Sequence, residues 1–192
     1  MNINTSFKIQ NVRSLNLSLG LDISRKKINA LTHESDDVIF IINAQIGNNK
    51  NTVQRKFLTC KNGPQMTYFN SDSPRSTGVG IAMRLWADID ILDTAKDTND
   101  RILILKTMIK DEIIILVSFH DTNENKDCHL NKIEDLLTQI DSRQGIIIGS
   151  DFNNFTDNIR DQKGNQLKPH YRTKATLKHE TWKKEHKFID LY

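Results

Sequence analysis

Apolar runs of strand length are separated by short polar stretches along this chain. The run at 38–42 (VIFII) lies between acidic residues and Asn43, and a continuous apolar run of this length predicts a buried strand. The segments 101–109 and 113–119 are apolar and are separated by three polar residues, which predicts a hairpin. Another buried strand is predicted at 145–149, where the sequence reads GIIIG.

Helical spacing and weaker strand patterns fill the remaining chain. The segment 125–140 predicts an amphipathic helix through its apolar residues Leu130, Ile133, Leu136, Leu137 and Ile140. Further helices are predicted at 25–33, which Ser24 caps, and at 172–187. Strands are predicted at 7–12, 66–70, 78–85 and 89–92. This pattern indicates one layered α/β (α+β) domain over residues 1–192, with mixed sheets.

The composition is that of a globular protein. Hydrophobic residues make up 37% of the chain and charged residues 27%, which excludes wholesale disorder. No apolar run reaches the length of a membrane span, and the N-terminus has no signal-peptide pattern. Cys60 and Cys128 fit neither a disulfide framework nor a zinc site. We therefore expect an intracellular protein, cytoplasmic or nuclear, with no membrane partner.

Positive charge is concentrated near the C-terminal end of the sequence. Residues 158–187 contain nine Lys or Arg and three Asp or Glu, a local charge of +6 on a chain whose net charge is +3. A basic segment on a near-neutral body is typical of a protein that binds a polyanion such as the DNA backbone. The alternative is a helix with a solvated, charged face.

Polar side chains recur just past the ends of the predicted strands, at Asn11, Asn43, His120, Asp121, Asn123, Asp151 and Asn153. Functional sites of layered α/β proteins gather at strand ends, because the sheet holds the loops there in place. Carboxylate and amide oxygens suit a hard divalent cation together with a phosphate. Each residue also has a structural alternative, such as an Asx turn or a structural histidine.

Several ordered strings resemble those of the endonuclease domains of non-LTR (LINE-type) retrotransposons. NVRSLN (11–16) resembles the opening string NVRGLN, and RSTGVGI (75–81) is similar to RSxGVAIL. LVSFHDTN (116–123) occupies the place of lvNiYAPN, and IIIGSDFN (146–153) is similar to iilGGDFN. DQKG (161–164) is similar to the DRkG that follows. The strings occur in the family's order over nearly the whole chain.

The resemblance implies the endonuclease/exonuclease/phosphatase superfamily, with its four-layered αββα sandwich. It implies a Mg²⁺-dependent phosphodiester hydrolase that nicks DNA, so that a reverse transcriptase of the same polyprotein primes on the break. By the resemblance, Asn11 helps to hold the metal, and Asp151 binds the metal and directs the attacking water. Asn153 contacts the scissile phosphate, and Asn123 is the asparagine that ends its motif.

Departures from the family pattern predict an incomplete domain with a degenerate site. The family has Glu or Asp as a metal ligand where this chain has Asn43, whose amide lacks the charge that anchors the ion. The family's Tyr is His120, which is still able to donate a hydrogen bond to phosphate. The string FIDLY (188–192) is similar to LiDiWR, and two later family motifs would follow it, an rlDyil-like strand and a terminal SDH. We therefore expect the sandwich to lack its last strands.

Three functions remain open at this level. The first is a Mg²⁺-dependent DNA endonuclease domain, or a fragment of one, with impaired catalysis. The second is a non-catalytic remnant, vestigial or co-opted, that binds nucleic acid or protein. The third is a phosphatase or an abasic-site nuclease of the same fold, which the strings at 75–81 and 161–164 disfavour.

Overall fold

The computed structural model describes residues 5–11, 36–44, 53–60, 63–71, 78–121, 126–140, 145–151 and 174–189. Within these ranges the chain forms nine strands and two α-helices. The strands are β1 (Phe7–Asn11), β2 (Val38–Ile42), β3 (Gln54–Cys60), β4 (Gly63–Asn70), β5 (Val79–Arg84), β6 (Ile89–Lys96), β7 (Ile102–Ile109), β8 (Glu112–His120) and β9 (Gly145–Asp151). The helices are α1 (Lys126–Gln139) and α2 (Lys174–Glu185), and a 3-10 turn follows β5 at Leu85–Ala87.

The first sheet has five strands in the order β1-β2-β5-β4-β3. β1 and β2 are parallel, and the other neighbours are antiparallel. All five residues of β2 are buried, as the continuous apolar run predicted. Val38, Phe40 and Ile42 face one core, whereas Ile39 and Ile41 face another, so both faces of β2 are covered.

The second sheet has four strands in the order β6-β7-β8-β9. β7 and β8 form the predicted hairpin, in which Ile109 pairs with Glu112 across a two-residue loop. Lys110 and Asp111 in this loop have φ of 47° and 67°, as a type I′ turn requires of both central residues. β8 and β9 are parallel, and α1 lies in the crossover that joins them.

The two sheets pack face to face over an apolar core. β2 and β5 contribute Phe40 and Ile81 to this core from the first sheet. β7 and β8 contribute Leu105 and Leu116 from the second sheet. Because side chains alternate along a strand, the opposite face of the second sheet also presents apolar residues, and the helices cover them.

The helices form a layer on the outer face of the second sheet. The predicted apolar residues of α1 pack against this face, and Ile133 is fully buried. α2 adds Trp182, whose indole N–H donates a hydrogen bond to Glu134 Oε1 at 2.7 Å. The Phe188 ring lies 5.0 Å from the Trp182 ring, centroid to centroid. No helix in the described ranges is long and apolar enough to cross a membrane.

The structure confirms the predicted α+β class with two mixed sheets. The prediction missed β3, and it made β4 and β6 too short, since β4 begins at Gly63 and β6 continues to Lys96. The helix predicted at 25–33 lies outside the described residues. The described residues therefore form three of the four predicted layers, one helical and two of sheet.

Candidate active site at one edge of the sandwich

Three strands of the first sheet end at the same edge. Asn11 at the end of β1 pairs with Ile42 at the end of β2. Ile42 and Asn70, the last residues of β2 and β4, both pair with Val79, the first residue of β5. We call this end of the sandwich the site edge, because the candidate residues of β1 and β2 lie there.

The second sheet brings the ends of β8 and β9 to the site edge. The Asn70 amide nitrogen donates a hydrogen bond to the backbone oxygen of Ile102 at 2.9 Å. Ile102 begins β7 and pairs with Phe119, one residue before β8 ends. The side chain of Asn70 therefore connects the two sheets at the end where the predicted site residues of both are found.

Arg101, His120 and Asp151 stand side by side at the site edge. The backbone N–H of His120 donates to the Arg101 oxygen at 3.0 Å, which continues the pairing of β7 with β8. His120 also pairs with Asp151 across the parallel strands β8 and β9. Side chains alternate between the two faces of a strand, and Leu116 of β8 and Ile147 of β9 pack between the sheets. His120 and Asp151 lie an even number of residues after them, and Arg101 is opposite His120, so the three residues share the inter-sheet face. We call these three residues the row.

Close contacts join β2 to the neighbouring strands β8 and β9, two residues before the row. The Ser118 hydroxyl donates to the backbone oxygen of Ile41 at 3.4 Å. Gly149 lies against the Phe40 side chain so closely that a Cβ atom there would overlap it. Both contacts come two residues before the ends of β8 and β9, so Asn43 lies at the same end of the sandwich as the row.

Burial controls the charge of His120. The side chain is 8% exposed, and its Nδ1 atom has no hydrogen-bond partner. Burial lowers the pKa of His120 below its ordinary value of 6.5, and the positive charge of Arg101 lowers it further. The carboxylates of Asp151 and Asp121 oppose this shift. Near neutral pH the ring is therefore neutral, with one nitrogen that donates and one that accepts.

Asn43 follows β2 in a left-handed backbone conformation. Its φ is 63°, and the next N–H, of Ala44, donates to the Gly78 oxygen at 2.6 Å. Asn and Asp tolerate this conformation better than longer side chains do, because their short polar groups hydrogen-bond locally. The local backbone therefore favours Asn or Asp over Glu at this position.

A buried hydrogen-bond network, which no sequence pattern predicted, fixes the start of β7. Asp97 Oδ1 accepts hydrogen bonds from the backbone N–H groups of Arg101 and Ile102, both at 2.9 Å. The amide of Asn70 donates to the same oxygen at 2.9 Å. Lys132 Nζ lies 3.9 Å from the other carboxylate oxygen of Asp97. The network holds the backbone of Arg101 beside His120.

A second buried pair fixes the end of β8. Asp121 Oδ1 lies 2.9 Å from His129 Nδ1, in the first half of α1. The backbone N–H of Asp121 donates to the oxygen of Asp151 at 3.0 Å. The strand-end pattern indicated Asp121, whereas His129 was missed because its partner lies eight residues away across a loop.

Comparison with known proteins rests on structure. No family profile and no curated protein matches the sequence. The endonuclease domain of TRAS1, a telomere-specific non-LTR retrotransposon, matches with a TM-score of 0.56 at 14% identity, over 94% of this chain and 71% of that one. An AP endonuclease from Leishmania major, LMAP, matches with a TM-score of 0.52 at 13% identity. That match covers 78% of this chain and 55% of LMAP.

This chain has the endonuclease/exonuclease/phosphatase fold. The resemblance seen in the ordered sequence strings predicted this fold, and the structural matches confirm it. The chain spans little more than half of the length of LMAP.

The donors at the site edge of this fold fit a weakly held Mg²⁺. Among the residues that the structure describes, no three His, Cys, Asp or Glu side chains form a metal-binding group. Mg²⁺ is commonly bound through one or two carboxylates together with water and substrate phosphates. Asp151 would supply one carboxylate to such a site, and Asn43 would supply an amide oxygen in place of a second. A site of this composition depends on the substrate to complete the set of ligands.

The remaining predicted site residues lie at the limits of the described chain. The backbone of Asn11 ends β1 at the site edge, and its side chain lies outside the described part of the structure. Asn123 and Asn153 lie outside the described residues altogether. Their predicted roles therefore stay predictions.

The basic segment predicted at 158–187 is described from Lys174 onward, where it forms α2. Trp182 faces α1 and is 5% exposed, so α2 is anchored on the body of the fold. Lys184 and Lys187 are exposed. In the described part of the segment, Lys184 thus lies on a docked helix and Lys187 follows it, in agreement with either a polyanion-binding face or a solvated face.

Proposed function

We propose that this chain is a retrotransposon-type, Mg²⁺-dependent DNA endonuclease domain whose catalysis is weakened at residue 43. The observation that carries the proposal is the row of Arg101, His120 and Asp151 on the inter-sheet face of the site edge, at the same end of the sandwich as Asn43. The row places a cation, a neutral imidazole and a carboxylate together at strand ends, which is the chemistry that phosphodiester hydrolysis needs.

Each side chain of the site has a distinct task in this proposal. The Asp151 carboxylate accepts a hydrogen bond from the attacking water and orients it toward phosphorus. Neutral His120 donates a hydrogen bond from its protonated ring nitrogen to a phosphate oxygen. Mg²⁺, held by Asn11, Asn43 and Asp151, would polarise the phosphate and stabilise the leaving oxygen.

Weak catalysis follows from the uncharged side chain of Asn43. An amide oxygen contacts Mg²⁺ without the negative charge that retains the ion between turnovers. Removal of one group that stabilises transition-state charge typically lowers the rate by about 10²–10³-fold. We therefore expect slow turnover that requires a high Mg²⁺ concentration.

DNA is the proposed substrate, and its backbone would contact the basic segment 158–187. In the described part of this segment, Lys184 and Lys187 are exposed on and just after α2. The local charge of +6 supplies attraction to phosphates that does not depend on base sequence. A reverse transcriptase domain of the same polyprotein is the proposed partner that would use the nick.

A second candidate function is a DNA-binding remnant without catalysis. The donor set favours this candidate, because the described residues contain no group of three metal-ligating acidic, His or Cys side chains. In this case Arg101 and α2 would retain DNA, and no strand would be cut.

Nicking of supercoiled plasmid tests the two candidates. The purified chain is incubated with plasmid in Mg²⁺ and in EDTA, beside Asp151→Ala. Asp90→Ala is the matched control, because Asp90 is an exposed carboxylate near the opposite end of the second sheet. A duplex with one abasic site, assayed in parallel, distinguishes an abasic-site nuclease.

Nicking that requires both Mg²⁺ and Asp151, and that survives Asp90→Ala, supports the endonuclease. A folded chain that nicks no plasmid at any Mg²⁺ concentration contradicts it and favours the remnant. Cleavage confined to the abasic duplex would assign the chain to repair-type chemistry instead.

A further inference from the structure

Arg101 is a partly buried cation of the row, and the proposed reaction does not name the group that it binds. Its position opposite His120 on the inter-sheet face puts the two side chains about 5 Å apart at Cβ. Its backbone is held by the bond to Asp97 Oδ1 at 2.9 Å. The backbone of Arg101 is thus fixed at the site edge by the start of β7.

The guanidinium of Arg101 has an unsatisfied donor. Nη1 is shielded from solvent and has no hydrogen-bond partner, and the neighbouring His120 Nδ1 is also shielded and unpartnered. Burial of a charged donor without a hydrogen-bond partner costs free energy. Two unpartnered atoms side by side therefore mark a place where a bound ligand would supply the missing hydrogen bonds. The two atoms belong to adjacent positions of the row.

Three of the described carboxylates near Arg101, those of Asp97, Asp121 and Asp151, do not meet this need. Asp97 already accepts three hydrogen bonds at Oδ1 from the start of β7 and from Asn70. Asp121 is paired with His129. Asp151 stands two strands from Arg101, at about 10 Å, with His120 between them. An anion that enters from outside the chain is the partner that fits.

We propose that Arg101 binds the scissile phosphate of DNA directly, with its guanidinium fork on two phosphate oxygens and the His120 ring beside it. The proposal rests on the proposed function for the identity of the anion. A planar guanidinium matches a phosphate bidentately and cannot lose its proton, so it binds without help from a metal ion. Arg101 therefore supplies the positive charge at the phosphate that a weakly held Mg²⁺ supplies only in part.

DNA binding over a series of salt concentrations tests this contact. Fluorescence anisotropy with a labelled 20-base-pair duplex is measured in EDTA, so that no cleavage occurs and no metal contributes. Arg101→Gln removes the charge, and Arg101→Lys keeps the charge without the fork. Lys110→Gln is the matched control, because Lys110 carries the same charge at the far end of the same hairpin.

We expect Arg101→Gln to weaken duplex binding about tenfold to a hundredfold. The slope of log affinity against log salt should become shallower by about one unit, as the loss of one phosphate contact predicts. Arg101→Lys should keep the slope and lose part of the affinity. Lys110→Gln should match the wild type.

Inorganic phosphate provides a second, site-specific probe. The ¹⁵N signals of the His120 imidazole are followed by NMR as phosphate is added to the folded, metal-free protein. They should shift in the wild type and in Lys110→Gln, and they should stay in place in Arg101→Gln.

The inference and the proposed function fail in different ways. Identical binding, slope and phosphate response in Arg101→Gln and Lys110→Gln would overturn the inference, even if the wild type nicks plasmid. Loss of the phosphate response in Arg101→Gln would support the inference, even if the wild type fails to nick.

Discussion

Gly149 is the position where one added methyl group should disturb the site edge most. A Cβ atom at Gly149 would overlap Cβ, Cγ and Cδ2 of Phe40. Phe40 is 1% exposed and its ring stacks on Phe7 at 6.5 Å, so it has no space into which to move. In Gly149→Ala, β9 must therefore move away from β2.

The expected cost of Gly149→Ala is about 1–3 kcal/mol of unfolding free energy, which is the usual range for an overpacked core. The backbone preference of Ala over Gly in a strand offsets this cost by about 0.5–1 kcal/mol. Gly145→Ala in the same strand is the control, because nothing lies within 4 Å of a Cβ built there. We expect it to be neutral or slightly stabilising.

Urea denaturation followed by circular dichroism measures both variants, and Phe40→Leu tests the assigned cause. If the Phe40 ring is the obstacle, Phe40→Leu should cost less stability in the Gly149→Ala background than in the wild type, by about 1–3 kcal/mol of coupling. Equal stability of Gly149→Ala and Gly145→Ala, or strict additivity with Phe40→Leu, would refute the close packing of β9 on β2.

Three further predictions concern the site edge. Asn43→Asp keeps the side-chain length, suits the φ of 63° and adds the negative charge that holds Mg²⁺. It should therefore raise the rate of plasmid nicking about tenfold or more at low Mg²⁺ concentration. An unchanged dependence on Mg²⁺ concentration would argue against residue 43 as a metal ligand. Because the folded-state pKa of His120 is lowered, the unfolded chain gains this proton first as pH falls, so stability is lost below pH 6.5. His120→Gln should flatten that part of the profile in urea denaturation at pH 7.5 and 5.5 in EDTA, and an unchanged slope would contradict the shift. Asn70→Ala should lower the free energy of unfolding by about 1–3 kcal/mol, because it removes a buried donor from Asp97 and Ile102. A loss below about 0.5 kcal/mol would show that stability does not depend on the network.

The apolar pattern predicted the strands that are buried on both faces, whereas among the edge strands it missed β3 and made β6 too short. β2 and the β7–β8 hairpin are continuous apolar runs, since the core covers them on two sides. β3 lies at the edge of its sheet, and its sequence QRKFLTC mixes charged and apolar residues. β6 is also an edge strand with a register shift between Ile91 and Asp93, so only its first half shows an apolar pattern.

The sequence predicted which residues end the buried strands better than it predicted which residues lie beside them. His120 and Asp151 were selected because both end buried strands, and the structure pairs them across β8 and β9. Arg101 was missed as a site residue although it follows the turn at 99–100, because its place beside His120 depends on the register of β7 against β8. The bond from Asn70 to Asp97 joins two sheets, and no periodicity within a single strand reports such a contact.

Under the proposed function, affinity for DNA and cleavage of DNA would depend on different charges at this site edge. Cleavage would need a retained Mg²⁺, and the uncharged Asn43 would weaken its retention. Binding would draw on Arg101 and on the lysines of α2, whose charges do not require the ion. A chain with this arrangement should still bind DNA when it cleaves DNA slowly or not at all. The endonuclease and the remnant therefore differ in one metal ligand, and Asn43→Asp supplies that ligand within a backbone conformation that accepts it.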